Sequence, residues 1–305
     1  MRKRLAVAAA TLGIAALILI FSWWPRASAV PSDGQPARHV STYVWQDDND
    51  WFGGFSGLEL TPDGTAFYAV TDRAYLVRGS ITRTDGQITA TTIDDHRQLV
   101  DRNGNTRRFP HDDAEGLALD GQGRLFVSFE GAQRILRYDD WEANARWPSY
   151  TRAWRALHIN GGLEAVAVDA AGTLYTLPEG VPRGAYEALV YRRHPQQKWQ
   201  QPFTLPLDIG YLPVGADFGP DGRLYLLERK LTTLGFRSRI RAMSVTEDGV
   251  RDIETVLETP RRIHGNLEGL SVWQDSDGRI RLTMISDNNF WRVLPTHIVE
   301  YVLIN

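Results

Sequence analysis

The 305-residue chain contains no cysteine. It can therefore form no disulfide, no thiolate nucleophile and no Cys-based zinc site. It also lacks a nucleophile-elbow serine motif, a Walker loop, an H-E-x-x-H helix and a G-x-G-x-x-G fingerprint, which removes the enzyme classes built on those motifs. After residue 30 no stretch repeats apolar residues at helical spacing for three turns, so a helical bundle is excluded. Basic charge is scarce as well. Residues 1–29 hold four of the 34 basic side chains (Arg2, Lys3, Arg4, Arg26) and none of the 37 acidic ones, so the remainder carries a net charge of −7. Such a balance argues against nucleic acid as a partner.

The apolar run Leu5–Trp24 follows a basic start and is followed by Ala27-Ser28-Ala29. That order is expected of a secretory signal cleaved after Ala29. The run is long enough for the alternative, a retained N-terminal membrane anchor. In both cases residues 30–305 are exported to the periplasm or beyond and meet the membrane only through residues 1–29. Ten Trp, eleven Tyr and eleven Phe favour sheet in this single exported domain.

Five versions of one hairpin recur: 56–72, 115–130, 164–179, 214–228 and 268–287. Each has an alternating first strand, a Gly-containing turn and a second strand, as in EGLALDGQGRLFVSFE (115–130). Their starts are about fifty residues apart, and further strand-like segments follow each one. Four short strands per fifty-residue unit predict an all-β fold, a β-propeller of five blades. A sixth blade would need a degenerate repeat hidden in a long connection. The last repeat is one strand short, while RHVSTYVW (38–45) is spare at the other end; this N-terminal strand is expected to join the last blade and close the ring.

Acids mark both ends of these hairpins. Glu115, Glu164 and Glu268 open first strands, with Ser56 and Val214 in the remaining two places, and Asp72, Glu130, Glu179, Glu228 and Asp287 end second strands. Opposed hairpin ends meet at one rim, so eight carboxylates are expected at one mouth of the channel. Like charges so gathered need relief. A hard cation such as Ca²⁺ could take several of these oxygens, an acid could stay protonated and act as general acid, or Arg73, Arg124 and Arg229 could neutralise the ring. The same mouth is expected to receive Arg73, Arg183, Arg229, Lys230 and Arg237, candidates for holding an anionic ester. His111, His158 and His264 precede ring acids and are candidate bases or ligands, and Ser56 is a nucleophile candidate without an assigned base.

The pieces SGLEL and TDR (56–60, 71–73), DAEGLAL and FEG (113–119, 129–131), LERK (227–230), and NLEGL and SDNNF (266–270, 286–290) resemble the phytase-like family, often labelled "esterase-like activity of phytase". The resemblance covers roughly residues 50–305. It implies an exported β-propeller whose acidic, metal-dependent site hydrolyses phosphate or carboxylic esters. The expectation is thus a monomeric, Ca²⁺-dependent hydrolase of small anionic esters. Glu115 and Glu268, with His111 or His264, are placed in catalysis, and Glu115, Glu164, Glu268, Asp72, Glu130, Glu179, Glu228 and Asp287 around the metal. A lactonase-like propeller and a non-catalytic envelope module are the alternatives.

Overall fold

The computed structural model describes residues 34–106, 111–146, 149–157, 161–180, 186–233, 235–291 and 293–304. The N-terminal apolar segment, His158 and Arg183 lie outside the described residues. Among those described, no helix is long and apolar enough to cross a membrane, and the only helical element is a 3₁₀ turn at Arg152–Ala156.

Among the described residues nineteen strands form five sheets. After β1 (Ala37–Trp45), blade 1 comprises β2 (Phe55–Leu60), β3 (Ala66–Thr71), β4 (Tyr75–Thr84) and β5 (Gln87–Gln98). Blade 2 has three strands, β6 (Ala114–Leu119), β7 (Leu125–Phe129) and β8 (Arg134–Tyr138). Blade 3 is β9 (Leu163–Val168), β10 (Leu174–Pro178), β11 (Glu187–Arg193) and β12 (Gln200–Pro206). Blade 4 is β13 (Leu212–Phe218), β14 (Leu224–Thr232), β15 (Gly235–Thr246) and β16 (Gly249–Glu258). Blade 5 holds β17 (Asn266–Gln274), β18 (Ile280–Asp287) and β19 (Thr296–Leu303), and its fourth strand is β1, paired antiparallel with β19 from Ala37↔Leu303 to Trp45↔Thr296.

The hairpins form for a local reason. In each turn the glycine amide donates to the carbonyl three residues earlier, as Gly123 does to Asp120 (2.9 Å) and Gly64 to Thr61 (2.7 Å). The five turn glycines take φ between 69° and 79°, a region that penalises any Cβ. The Asp120 carboxylate also accepts the amides of Gln122 and Arg124 at 2.9 and 3.0 Å, which fixes the turn from the side chain.

Packing then assembles the blades. Five apolar clusters each join one adjacent pair, and the cluster of Trp45, Phe55, Leu58, Phe67 and Trp273 joins blade 5 to blade 1. A fully buried side chain such as Leu58 contributes about 2 kcal/mol relative to exposure. The inner strands β2, β6, β9, β13 and β17 lie against one another in that order, and β17 returns to β2. Their approach is close: a Cβ on Gly116 would stand 2.2 Å from the Glu164 carbonyl oxygen, and one on Gly215 2.4 Å from that of Glu268. Only glycine fits there.

Candidate functional site

Every inner strand carries a β-bulge at the same place, and the bulge presents the ring residues. Phe55 pairs with Thr71 and Gly57 with Val70, so Ser56 has no partner. In the same way the pairing skips Glu164, Val214 and Glu268, and it skips Glu115 together with Gly116. A bulge lets one side chain leave the regular alternation and be re-aimed. Here it sends three glutamates to a shared cavity of about 460 Å³ at the mouth.

Eight carboxylates line that cavity: Glu115, Glu164, Glu268, Asp72, Asp113, Glu130, Glu179 and Asp287. Among the described lining residues the one cation is Arg229. Carboxylate oxygens of Asp113, Glu115 and Glu130 lie within 4.8 Å of one another. Glu130 also accepts the amides of Gly161 and Gly162, the latter at 2.7 Å. Arg229 donates to Glu179 Oε1 from Nε (3.1 Å) and Nη2 (2.6 Å), to Asn266 Oδ1 (2.8 Å) and to Glu268 Oε1. One guanidinium therefore serves one side of the mouth, while the Asp113/Glu115/Glu130 side has none among the described lining residues.

The crowding moves the protons. Burial, then Glu164 and Glu268, push the Glu115 carboxyl well above the usual range. Burial, then Glu179 and Glu268, do the same to Glu164. Burial raises Glu268 to about 8 against the pull of Arg229. Asp72 rises to about 7 through burial and the charge of Asp287, and Asp113 to about 6 through burial and Glu130. For Arg229 burial opposes the charge, but Glu268 and Glu179 outweigh it and the pKa rises.

Several expected members stand elsewhere. Glu228 is absent from the cavity; it is 0% exposed and bound by Arg239 and Arg241, with Nε–Oε2 distances of 2.9 and 2.8 Å. Glu228 pairs with Pro213, the place that Pro178, the residue before Glu179, takes opposite Leu163 in blade 3. One residue of offset reverses the strand face, so Arg229 takes the mouth position. His264 faces inward, with Nε2 2.6 Å from the Tyr301 hydroxyl and its ring stacked on His39. His111 lines a different cavity, between blades 1 and 2.

The other predicted cations are engaged outside the mouth. Arg73 lies 3.5 Å over the Phe290 ring. Lys230 Nζ donates to the Ile209 carbonyl at 2.8 Å, and Arg237 pairs with Glu258 at 3.0 Å. Arg124 pairs with Asp120. Ser56 is buried and spends its hydroxyl on the Ala114 carbonyl (2.7 Å), so it is not poised as a nucleophile. Conversely, Asp113, Asn266 and Leu212 line the cavity without having been singled out. Each stands two residues before a ring position, so the period-2 rule carried one step further would have found them.

A search of curated proteins finds no match. Among solved structures the chain is similar to the PQQ-bound aldose sugar dehydrogenase of Streptomyces coelicolor, at 13% identity and a TM-score of 0.45, over 88% of this chain and 100% of that one. It is also similar to a putative gluconolactonase (16%, TM-score 0.45, 91% and 96% covered) and to virginiamycin B lyase of Staphylococcus aureus (12%, TM-score 0.45, 88% and 100% covered). At such identities the likeness concerns the fold alone. The family model "Phytase-like: Esterase-like activity of phytase" matches residues 50–290, a span that contains every lining residue of the mouth. The chain belongs to the phytase-like family.

Proposed function

We propose that the mouth is the active site of an exported hydrolase that cleaves phosphate or carboxylic esters with the help of a bound divalent cation, calcium being the best match. The observation that carries this reading is eight carboxylates in one cavity with a single arginine among the described lining residues. The donor set fits a hard cation: all oxygen, three carboxylates within 4.8 Å of one another, and Asp72 Oδ1 buried without a hydrogen-bond partner. Asp113, Glu115 and Glu130 would hold the ion, with Asp72 and Glu164 beside them. When bound, it would supply positive charge at the reacting ester oxygen.

The residues of the chain divide the remaining work. Arg229 and Asn266 both donate to Glu268 Oε1, which leaves Oε2 to carry a proton. With its carboxyl pushed up to about 8 by burial, Glu268 is suited to donate a proton to a leaving alcohol. Arg229 positions that acid. Since Arg229 is committed to carboxylates, an anionic substrate depends on the cation for its binding.

The test is a panel of aryl phosphates and carboxylic esters with calcium and with chelator. Turnover is expected only with calcium, and Glu115→Gln/Glu268→Gln should lower it by about 10²-fold or more. Unchanged turnover in that variant would remove the ring from the chemistry. Calcium binding without turnover of any ester would leave a binding module.

A further inference from the structure

The mouth has two kinds of wall. Its large apolar side chains among the described residues, Leu212, Leu231 and Phe236, all belong to blade 4. The clustered carboxylates Asp113, Glu115 and Glu130 belong to blade 2, which is separated from blade 4 by blade 3. One exposed leucine is ordinary at a protein surface. Three apolar side chains on one wall of an acidic cavity give that cavity a second chemistry.

Strand length and register build this wall. The mouth position that Asp72, Glu130, Glu179 and Asp287 hold in the other blades is Arg229 on β14. In those blades β3, β7, β10 and β18 end at Thr71, Phe129, Pro178 and Asp287, at that position or one residue short of it. By contrast β14 runs three residues past Arg229, to Thr232, and stays paired with β15 up to Thr232↔Gly235. Leu231 stands two residues beyond Arg229 on the same strand face, about 6–7 Å further out. Phe236 is the cross-strand partner of Leu231, and Leu212 that of Arg229, so all three share one face with the guanidinium. Arg229 Cζ lies 5.8 Å from the Phe236 ring centroid, and Leu231 is 71% exposed.

We propose that this wall binds the leaving alcohol of the substrate, and that the alcohol is neutral and apolar, an aromatic ring system or a branched alkyl group. That the bound group is a leaving alcohol rests on the hydrolytic reading above; the wall's preference for a neutral apolar group does not. Arg229 joins the wall to Glu268, the acid assigned to the departing oxygen. An alcohol seated on Leu212, Leu231 and Phe236 is therefore beside its proton donor, with the acyl or phosphoryl oxygens turned toward blade 2. The bond from that acyl carbon or phosphorus to the alcohol oxygen breaks, and water supplies the new bond to the same centre. The Glu268 proton passes to the alcohol, and the proton that water gives up restores the carboxyl. A polyphosphorylated alcohol is disfavoured, because it sets further negative charge beside eight carboxylates. The one cation among the described lining residues, Arg229, is already held by Glu179 and Glu268. A cavity of roughly 150 Å³ holds one benzene ring, so the mouth, at about 460 Å³, takes two rings and the ester group.

The probe is neutral 2-naphthol, titrated into the protein by calorimetry at pH 7 with calcium present. One naphthol per chain is expected, and Leu231→Ser/Phe236→Ser should weaken it at least about tenfold. Glu115→Gln/Glu130→Gln, on blade 2, should keep naphthol affinity within about twofold. The melting temperature and its response to calcium show whether the wall variant is intact. If it is not, Leu231→Ser alone, at an exposed position, carries the test with an expected weakening of at least about threefold. No naphthol binding by the parent protein, or parent affinity in the intact wall variant, overturns the proposal. Naphthol binding as described without turnover of any ester overturns only the hydrolytic reading. Where turnover is found, kcat/KM should be at least about tenfold higher for a 2-naphthyl ester than for the methyl ester of the same acid, and Leu231→Ser/Phe236→Ser should remove that difference. Inositol hexakisphosphate hydrolysed as fast as the naphthyl ester would overturn the assignment of the alcohol.

Discussion

Glu228 and Glu164 are both buried glutamates in neighbouring blades, and they are treated in opposite ways. Glu228 is surrounded by donors: Arg239 and Arg241 bind both of its oxygens, and Asp208 shares Arg239. Glu164, at 7% exposure, has no arginine or lysine ion pair among the described residues and faces Glu179, Glu268 and Glu130. A buried carboxylate with both oxygens held by arginines serves packing between blades. Acids gathered without countercharge destabilise the free protein and are retained where a cation or a proton is used. The difference between the two glutamates is the reason for assigning chemistry to one group and structure to the other.

Removing one partner on the structural side should have the largest effect. Glu228→Gln would leave Arg239 and Arg241 buried and under-compensated, with an expected loss of about 3–5 kcal/mol in denaturant unfolding. A loss below 1 kcal/mol would erase the contrast.

The pH dependence comes next. Asp72 (about 7), Asp113 (about 6) and Glu268 (about 8) bind protons more tightly folded than unfolded, where carboxyls titrate near 4. Their contribution is full below pH 4 and is lost as pH rises toward 8. His264 has the opposite sign: burial, then the charges of His39 and His297, lower it to about 3, so its contribution is present above pH 6.5 and lost as pH falls toward 3. Metal-free melting temperatures should therefore fall on both sides of a maximum between pH 4 and 6.5, and calcium should flatten the alkaline limb. A metal-free melting temperature that climbs from pH 6 to 8 would contradict the assignment of the acids.

Glu115→Gln should behave unlike Glu228→Gln. It removes one of the crowded charges, so metal-free stability at pH 8 should rise by about 1–2 kcal/mol while the response to calcium is lost. His264→Gln keeps a hydrogen-bond partner for Tyr301 and should flatten the acid limb between pH 6.5 and 4, measured by the same unfolding series.

Much of this was readable from alternation and turns. The hairpin pattern located β2–β3, β6–β7, β9–β10, β13–β14 and β17–β18, because DGQG-type turns and period-2 strands are local features. Seven of the eight lining acids followed from counting outward from the turn glycines. The eighth, Asp113, lies just before β6, where alternation had not been extended. Glu228 was misplaced because counts of six to nine from the turn glycine were treated as equivalent, although turn length differs between hairpins and the strand register decides which side chain reaches the mouth. His264 could not be placed by spacing, since the loop that enters blade 5 has no period; its tertiary partner, the Tyr301 hydroxyl, decides where it points.

The central claim, that the unpaired acids of the mouth are a cation site, is tested most directly by titrating the metal-free protein with calcium, by calorimetry and thermal melting, with magnesium as control. The account predicts saturable calcium binding that raises the melting temperature by several degrees in the parent and in Glu228→Gln, and not in Glu115→Gln/Glu130→Gln. Binding of neither ion, or an equal rise in the double variant, would contradict it and leave the mouth as a cluster of protonated acids.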